Sequence, residues 1–191
     1  VTAGLTPAPQ YFAKNAMMNK SGYNSFDQVV KQGNTPLTPE QLENLVEQEG
    51  ALVLDTRHQD EFAKAHIPNS IFIGIDGSFA PWVGALITDI KQPIVLITPE
   101  GREEEVVTRL ARVGYDHTLG YLQGGLKAWK AAGKETDTIE SVPADKLVAK
   151  IKDDFDGQIL DVRNPTEYLS QHIEGAINFP LDYINSNMDR L

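Results

Sequence analysis

The sequence predicts an α/β protein with a mainly parallel sheet between two layers of helices, followed by a partial second copy of the same domain. Two observations carry this expectation. Short apolar runs alternate with segments of helical periodicity, a pattern typical of parallel strands joined by helices. A motif from the first half also returns in the second half at a constant spacing. The length of 191 residues and the hydrophobic fraction of 41% suit one complete domain and part of another.

The first 36 residues are rich in proline and glycine. Their apolar residues occur mainly in isolated pairs, such as Tyr11-Phe12 and Met17-Met18. This composition predicts a tail or linker over residues 1–36.

The first predicted helix begins after this tail. Thr38 suits the N-cap, Pro39 the first turn and Gln41 a capping box, and Gly50 is expected to end the helix.

Four apolar runs predict the strands of the first copy, at 51–54, 70–73, 93–97 and 119–122. The remaining helices of this copy are predicted at 59–64, 82–90, 98–113 and 126–132. We expect Thr98-Pro99 to cap the third of them. The polar stretch 134–140 predicts a linker, and 144–152 predicts the first helix of the second copy.

The repeat consists of five identities, each separated by 106 residues. The pairs are Asp55 and Asp161, Arg57 and Arg163, Glu61 and Glu167, His66 and His172, and Ile67 and Ile173. A fixed register of this kind indicates two copies of one domain type. We therefore predict a complete domain over 37–133 and the N-terminal half of a second domain over 141–191.

The Asp-x-Arg motif after a strand in each copy, Asp55 with Arg57 and Asp161 with Arg163, has two interpretations. The carboxyl edge of a parallel sheet is where ligands bind in open α/β folds. The pair can also be a structural link that fixes the strand end to the following loop. We favour the structural interpretation because both copies share the motif.

His66 and His172 are open to the same two interpretations. We favour hydrogen-bonded turn histidines over general bases or metal ligands, since no second ligand lies at metal-site spacing.

Taken together, these motifs resemble the rhodanese homology family. The matching segments are Leu54-Asp55-Thr56-Arg57, His66-Ile67-Pro68-Asn69-Ser70 and Leu122-Gln123-Gly124-Gly125 in the first copy, and Leu160-Asp161-Val162-Arg163 and His172-Ile173-Glu174-Gly175-Ala176 in the second. The resemblance implies a rhodanese-like three-layer α/β/α fold and a site that handles thiosulfate or persulfides. It also implies a nucleophilic cysteine at the end of the central strand, in a loop of the pattern Cys-x-x-Gly-x-Arg whose amides converge on the sulfur.

The corresponding stretch here, Ile97-Thr98-Pro99-Glu100-Gly101-Arg102, looks like a vestige of that loop, because the chain has no cysteine. The nucleophile's position falls on Ile97 or Thr98. A threonine hydroxyl lacks the low pKa and the nucleophilicity of a thiol. Pro99 removes one amide donor, and the three glutamates at 103–105 would repel an anion. We therefore expect no catalytic residue in the first copy, and a structural or interaction role in a protein of sulfur metabolism.

Two other functions remain open. An active sulfurtransferase is possible if the second copy is completed outside these 191 residues, since the equivalent loop would fall near residue 203. Phosphatase-like chemistry on the same fold is disfavoured by the lack of cysteine. In place of chain continuation, a second protomer could complete the half domain by swapping.

The segment from Gly4 to Phe12 is similar to the end of the metallo-β-lactamase-fold domain in proteins where that domain precedes two rhodanese domains. This resemblance implies an upstream metallo-β-lactamase-fold domain as partner, with persulfide dioxygenase or hydrolase chemistry and a bound Fe or Zn. No metal or other cofactor is expected within the present chain.

The net charge of −10 disfavours nucleic acid and anionic membrane surfaces as partners. No apolar run approaches the ~20 residues of a membrane-spanning helix. A chain without cysteine fits the cytoplasm.

Overall fold

The computed structural model describes residues 25–153 and 155–190. The described residues up to Glu140 belong to one compact unit, and those from Ser141 onward belong to another. The two units are described separately.

The first unit is built on a five-stranded, fully parallel sheet with the strand order β1-β5-β4-β2-β3. Its strands are β1 (Pro36–Leu37), β2 (Leu52–Asp55), β3 (Ile71–Phe72), β4 (Ile94–Ile97) and β5 (Thr118–Leu122). The predicted α/β fold with a parallel sheet is confirmed.

Among residues 25–140, six helices accompany this sheet: α1 (Phe26–Gly33), α2 (Pro39–Glu49), α3 (Gln59–Lys64), α4 (Phe79–Leu86), α5 (Glu103–Ala111) and α6 (Gly125–Ala131). The predicted start of α2 is confirmed, because Thr38 and Gln41 form a reciprocal capping box. Gly50 ends this helix in a left-handed conformation with φ of 63°.

The expectation of an irregular tail over 1–36 is wrong for its last part, because residues 26–33 form α1 and Pro36 begins β1. Val29 is buried, and Gly33 allows the end of α1 to approach Val107 and Thr118. Residues 1–24 of that expectation, including Tyr11-Phe12 and Met17-Met18, lie outside the described residues.

Two helices differ from the predicted bounds. The helix predicted at 82–90 spans Phe79–Leu86, because the chain becomes extended at Ile87 and buries Ile87 and Ile90 in the core. The helix predicted to start at Thr98-Pro99 starts at Glu103. Gly101 has a φ of 79°, so the backbone between Pro99 and Arg102 is a turn and not helix.

The core lies on both faces of the sheet, because successive strand residues point to opposite sides. Leu54 and Leu96 pack on the face covered by α4 and α5. Val53, Val95 and Ile97 pack on the face covered by α2 and α6.

The segment 134–140, predicted as a linker, has no regular structure but is hydrogen-bonded to the first unit. His66 and Asp137 exchange two backbone hydrogen bonds of 3.0 and 2.9 Å, and Ile139 N–H donates to Ala63 O at 2.9 Å.

The second unit reproduces the beginning of the first. Its parallel strands β6 (Leu160–Asp161) and β7 (Ile177–Asn178) pair Leu160 with Ile177, the positions that match Leu54 and Ile71. Its helices are α7 (Ala144–Lys152), α8 (Pro165–Ser170) and α9 (Ile184–Asn187), with short 3-10 turns at Leu181–Tyr183 and Met188–Arg190. The partial second copy is thereby confirmed.

Candidate active-site loop and its supports

The candidate active-site loop connects β4 to α5 at the carboxyl edge of the sheet. Ile97 is the last residue of β4, and its side chain is fully buried in the core. Thr98 is the first residue of the loop and is partly exposed. A backbone hydrogen bond from Arg102 N–H to Pro99 O, 3.1 Å long, closes the turn.

The carboxylate of Glu103 folds back into this loop. Its Oε1 accepts a hydrogen bond from the Gly101 N–H at 3.1 Å and a longer one from the Thr98 hydroxyl at 3.5 Å. A small anion bound in such a loop would use the same kinds of donor, an amide and a side-chain hydroxyl. The loop therefore already contains a negative charge from its own chain.

Arg102, the loop's own cation, is directed to other carboxylates. It donates two hydrogen bonds to Asp76, at 2.9 and 3.0 Å, and two to Glu105, at 2.7 and 3.1 Å. These carboxylates raise the pKa of Arg102, and the hydrogen bond from Arg102 lowers the pKa of Glu105. Glu105 is also paired with Arg109 at 2.7 Å. The positive charge of Arg102 is thus already matched by protein carboxylates.

The Asp55–Arg57 pair lies at the same edge of the sheet, at the end of β2. Arg57 binds both carboxylate oxygens of the fully buried Asp55, at 2.9 and 2.6 Å, and donates a further hydrogen bond to Ala65 O at 2.8 Å. Between them, the Thr56 N–H and hydroxyl both donate to Ile97 O, at 2.8 and 3.1 Å. This geometry matches the structural interpretation of the motif, because the pair links the end of β2 to the segment after α3.

The second copy repeats the arrangement. Arg163 binds both carboxylate oxygens of Asp161 and donates to Gln171 O at 2.8 Å. The hydrogen bond from Arg163 lowers the pKa of Asp161.

The two predicted histidines have matching surroundings. His66 stacks on Phe62 at 4.1 Å and His172 stacks on Tyr168 at 3.9 Å, measured between ring centroids. Each Nδ1 lies within 3.0 Å of the backbone oxygen of the aromatic residue four positions earlier. These contacts fit turn histidines. In the ranges 25–153 and 155–190 no three His, Asp or Glu side chains lie together as a metal site would need.

The sequence pattern identifies Glu103 and Glu105 only as residues of a helix first turn and does not single out Asp76. The structure gives each a contact to the loop or to its arginine. No sequence signal identifies these contacts, because Asp76 lies 26 positions before Arg102 and meets it only in the folded chain.

Comparison with known proteins identifies the family to which this fold belongs. The family model of the rhodanese-like domain matches residues 38–132 and 144–191. No curated protein matches the sequence. The rhodanese-like domain of the Alr3790 protein from Anabaena sp. is 22% identical with a TM-score of 0.48, over 59% of this chain and 85% of that one.

Two longer solved proteins are also similar to this chain. Thiosulfate sulfurtransferase from Pseudomonas aeruginosa is 18% identical with a TM-score of 0.46, over 94% of this chain and 38% of that one. EanB in complex with hercynine is 20% identical with a TM-score of 0.50, over 83% and 42%. The present chain therefore spans about two fifths of each of these proteins. None of the described helices is both long enough and apolar enough to cross a membrane.

Proposed function

Because the chain belongs to the rhodanese-like domain family, we propose that its complete copy is a non-catalytic module of a sulfur-metabolism protein, with a structural or interaction role. The observation that carries this proposal is the loop after β4. Ile97 or Thr98 stands where the family pattern has its nucleophilic cysteine, and we take Thr98 because it is the first residue after β4. The Glu103 carboxylate is hydrogen-bonded inside the loop.

The chemistry of sulfur transfer explains why these two residues matter. A thiolate attacks the outer sulfur of thiosulfate, the S–S bond breaks, and sulfite leaves with the bonding electron pair. The resulting persulfide then gives its outer sulfur to an acceptor such as cyanide, and the thiolate returns. A threonine hydroxyl is a poor nucleophile at neutral pH, and the chain has no cysteine to replace it.

Charge in the loop opposes the same reaction. Thiosulfate is a dianion, and Glu103 and Glu104 lie in the first turn of α5, beside the position it would occupy. The Arg102 guanidinium, which could offset this charge, is bound to Asp76 and Glu105. Repulsion between these carboxylates and the bound anion should lower the affinity for thiosulfate at least several-fold where water is partly excluded.

The test is a thiosulfate:cyanide sulfurtransfer assay on the 191-residue chain and on three variants: Thr98→Cys, Thr98→Cys combined with Glu103→Gln, and the surface control Thr138→Cys. We expect the parent and the control to show no turnover above a heat-denatured sample. Thr98→Cys should form a persulfide poorly, and the added Glu103→Gln should increase its yield at least several-fold. Turnover by the parent would refute the non-catalytic proposal. Equal yields for the single and double variants would refute the role of Glu103.

A second candidate function is sulfur transfer by the second copy, with its cysteine in a segment that completes the domain. The backbone geometry favours such a completing segment. In the first copy the Thr56 N–H is bound by Ile97 O of β4, whereas the equivalent edge of β6 at Val162 pairs with no strand within 155–190. The completing segment would come from chain beyond Leu191 or from a second protomer. A downstream reading frame with a cysteine near residue 203 would support the first source, and a stop codon would exclude it.

The upstream partner is also a proposal. A metallo-β-lactamase-fold domain with Fe or Zn before this chain would require His-x-His-x-Asp-His spacing in the reading frame upstream of Val1, and a frame without that pattern would exclude it. Its support is the similarity of residues 4–12 to the end of such domains.

A further inference from the structure

The first unit has a pocket of about 440 Å³ on the sheet face opposite to α4 and α5. Its floor is apolar and consists of buried side chains, namely Leu42 of α2, Val53 of β2, Trp129 of α6 and Ile67 of the segment between α3 and β3. The pocket lies beside α2 and the start of the segment 134–140, away from the loop at Thr98.

The rim of this pocket is acidic. Glu43, Glu47 and Glu135 line it together with one cation, Lys134. Lys134 is bound to Glu43 and lies 5.7 Å from the Trp129 ring centroid, so its charge is already matched. Glu40 continues the acidic stripe along α2, at helical spacing from Glu43 and Glu47. An occupant should therefore combine apolar side chains with positive charge.

We propose that the chain's own segment Tyr11–Lys20 binds in this pocket. Residues 1–24 contain Lys14 and Lys20 but none of the 27 acidic residues of the chain. The same segment supplies the apolar pairs Tyr11-Phe12 and Met17-Met18. Methionine is unbranched and adapts to irregular apolar surfaces. Charge and apolar content are thus both complementary to the pocket. This inference is independent of the proposed function of the loop.

The connection between the segment and α1 can span a large part of the unit. Met18 lies seven positions before Ser25, the N-cap of α1, and Tyr11 lies fourteen positions before it. At ~3.3 Å per residue they reach about 23 and 46 Å, whereas a unit of this size has a radius of gyration of about 13 Å. Covalent attachment gives the segment an effective concentration in the millimolar range, so modest contacts suffice.

The lack of cysteine makes a direct test possible. A nitroxide attached to Ala16→Cys in the full chain carries the only thiol, and the two tryptophan indole N–H signals report on two places. Trp129 lies in the pocket, and its indole donates to Glu135 O at 2.7 Å. Trp82 packs against the core of the opposite face. We expect the nitroxide to remove more than half of the Trp129 indole intensity and to leave the Trp82 signal nearly unchanged.

Two further samples decide the origin of this effect. Glu47→Lys should restore most of the Trp129 intensity, whereas the matched control Glu104→Lys on α5 should not. In a mixed sample, one chain carries the nitroxide without ¹⁵N and the other carries ¹⁵N without the nitroxide. The Trp129 signal of the ¹⁵N chain should be unaffected there. Equal intensities for Trp129 and Trp82 in the labelled chain, or a comparable loss of Trp129 intensity in the mixed sample, would overturn the proposal.

Discussion

At the scale of single residues, the same Asp-x-Arg motif occurs at two levels of burial in one chain. In the first copy the side chain of Asp55 is 0% exposed and that of Arg57 is 10% exposed. In the second copy the bonding is the same, but the side chain of Arg163 is 47% exposed. The energetic weight of an ion pair depends on how far its partners are removed from water, so identical geometry should have different consequences here.

Removing the arginine from each copy tests this difference. Arg57→Ala leaves the Asp55 carboxylate buried without its cation, and we expect it to lower the free energy of unfolding by about 3–5 kcal/mol. Arg163→Ala, the matched control, leaves Asp161 able to bind water and should have a much smaller effect on the second unit. Urea unfolding followed by tryptophan fluorescence measures the first unit, and amide NMR signals measure the second. A loss for Arg57→Ala no larger than for Arg163→Ala would contradict the burial argument.

At the scale of elements, sequence patterns correctly predict the features that depend on residues close together in the chain. The capping box at Thr38 and the span of α3 follow from neighbouring residues, and the structure confirms them. The loop at Thr98 could not be predicted, because a Thr-Pro pair is an acceptable helix start. Its turn depends on the left-handed Gly101, and its fixed geometry depends on the contact of Arg102 with the distant Asp76.

Helix α1 was missed for a related reason. Its sequence is short and follows a proline- and glycine-rich stretch, and what stabilises it is the close approach of its last residue to the core. A β-carbon at Gly33 would lie 2.5 Å from Val107 Cγ1 and 3.3 Å from Thr118 Cβ. Helix propensity alone does not reveal that this position must remain small.

We therefore expect Gly33→Ala to destabilise the first unit, although alanine is the better helix former. The added methyl group must displace Val107 or shift α1, and overpacking of this kind costs about 1–3 kcal/mol. Gln32→Ala on the exposed side of the same helix is the matched control, and it should be neutral or slightly stabilising. The two variants are compared by thermal unfolding. Equal melting temperatures would show that α1 does not pack as described.

At the scale of the whole molecule, the two copies differ in how well their shared apolar positions are covered. Leu54 is 0% exposed and Ile67 is 5% exposed, whereas their counterparts Leu160 and Ile173 are 36% and 41% exposed. In the first copy later elements cover these positions, because Leu54 packs in the cluster that includes α4 and α5 and Ile67 packs in the cluster that includes Val95 and Ile97 of β4. Hydrophobic stabilisation scales with the apolar area removed from water, so each copy should have its own stability.

We expect two separate unfolding transitions in urea. The first unit contains both tryptophans, so fluorescence follows it alone, while amide signals of Ala176 and Phe179 follow the second. The second unit should unfold at lower urea, with a smaller m-value because it exposes less new surface. Leu54→Ala should lower the stability of the first unit by about 2–5 kcal/mol, whereas Leu160→Ala should shift the second transition far less. Coincident transitions for all probes would mean that the half domain is stabilised together with the complete one.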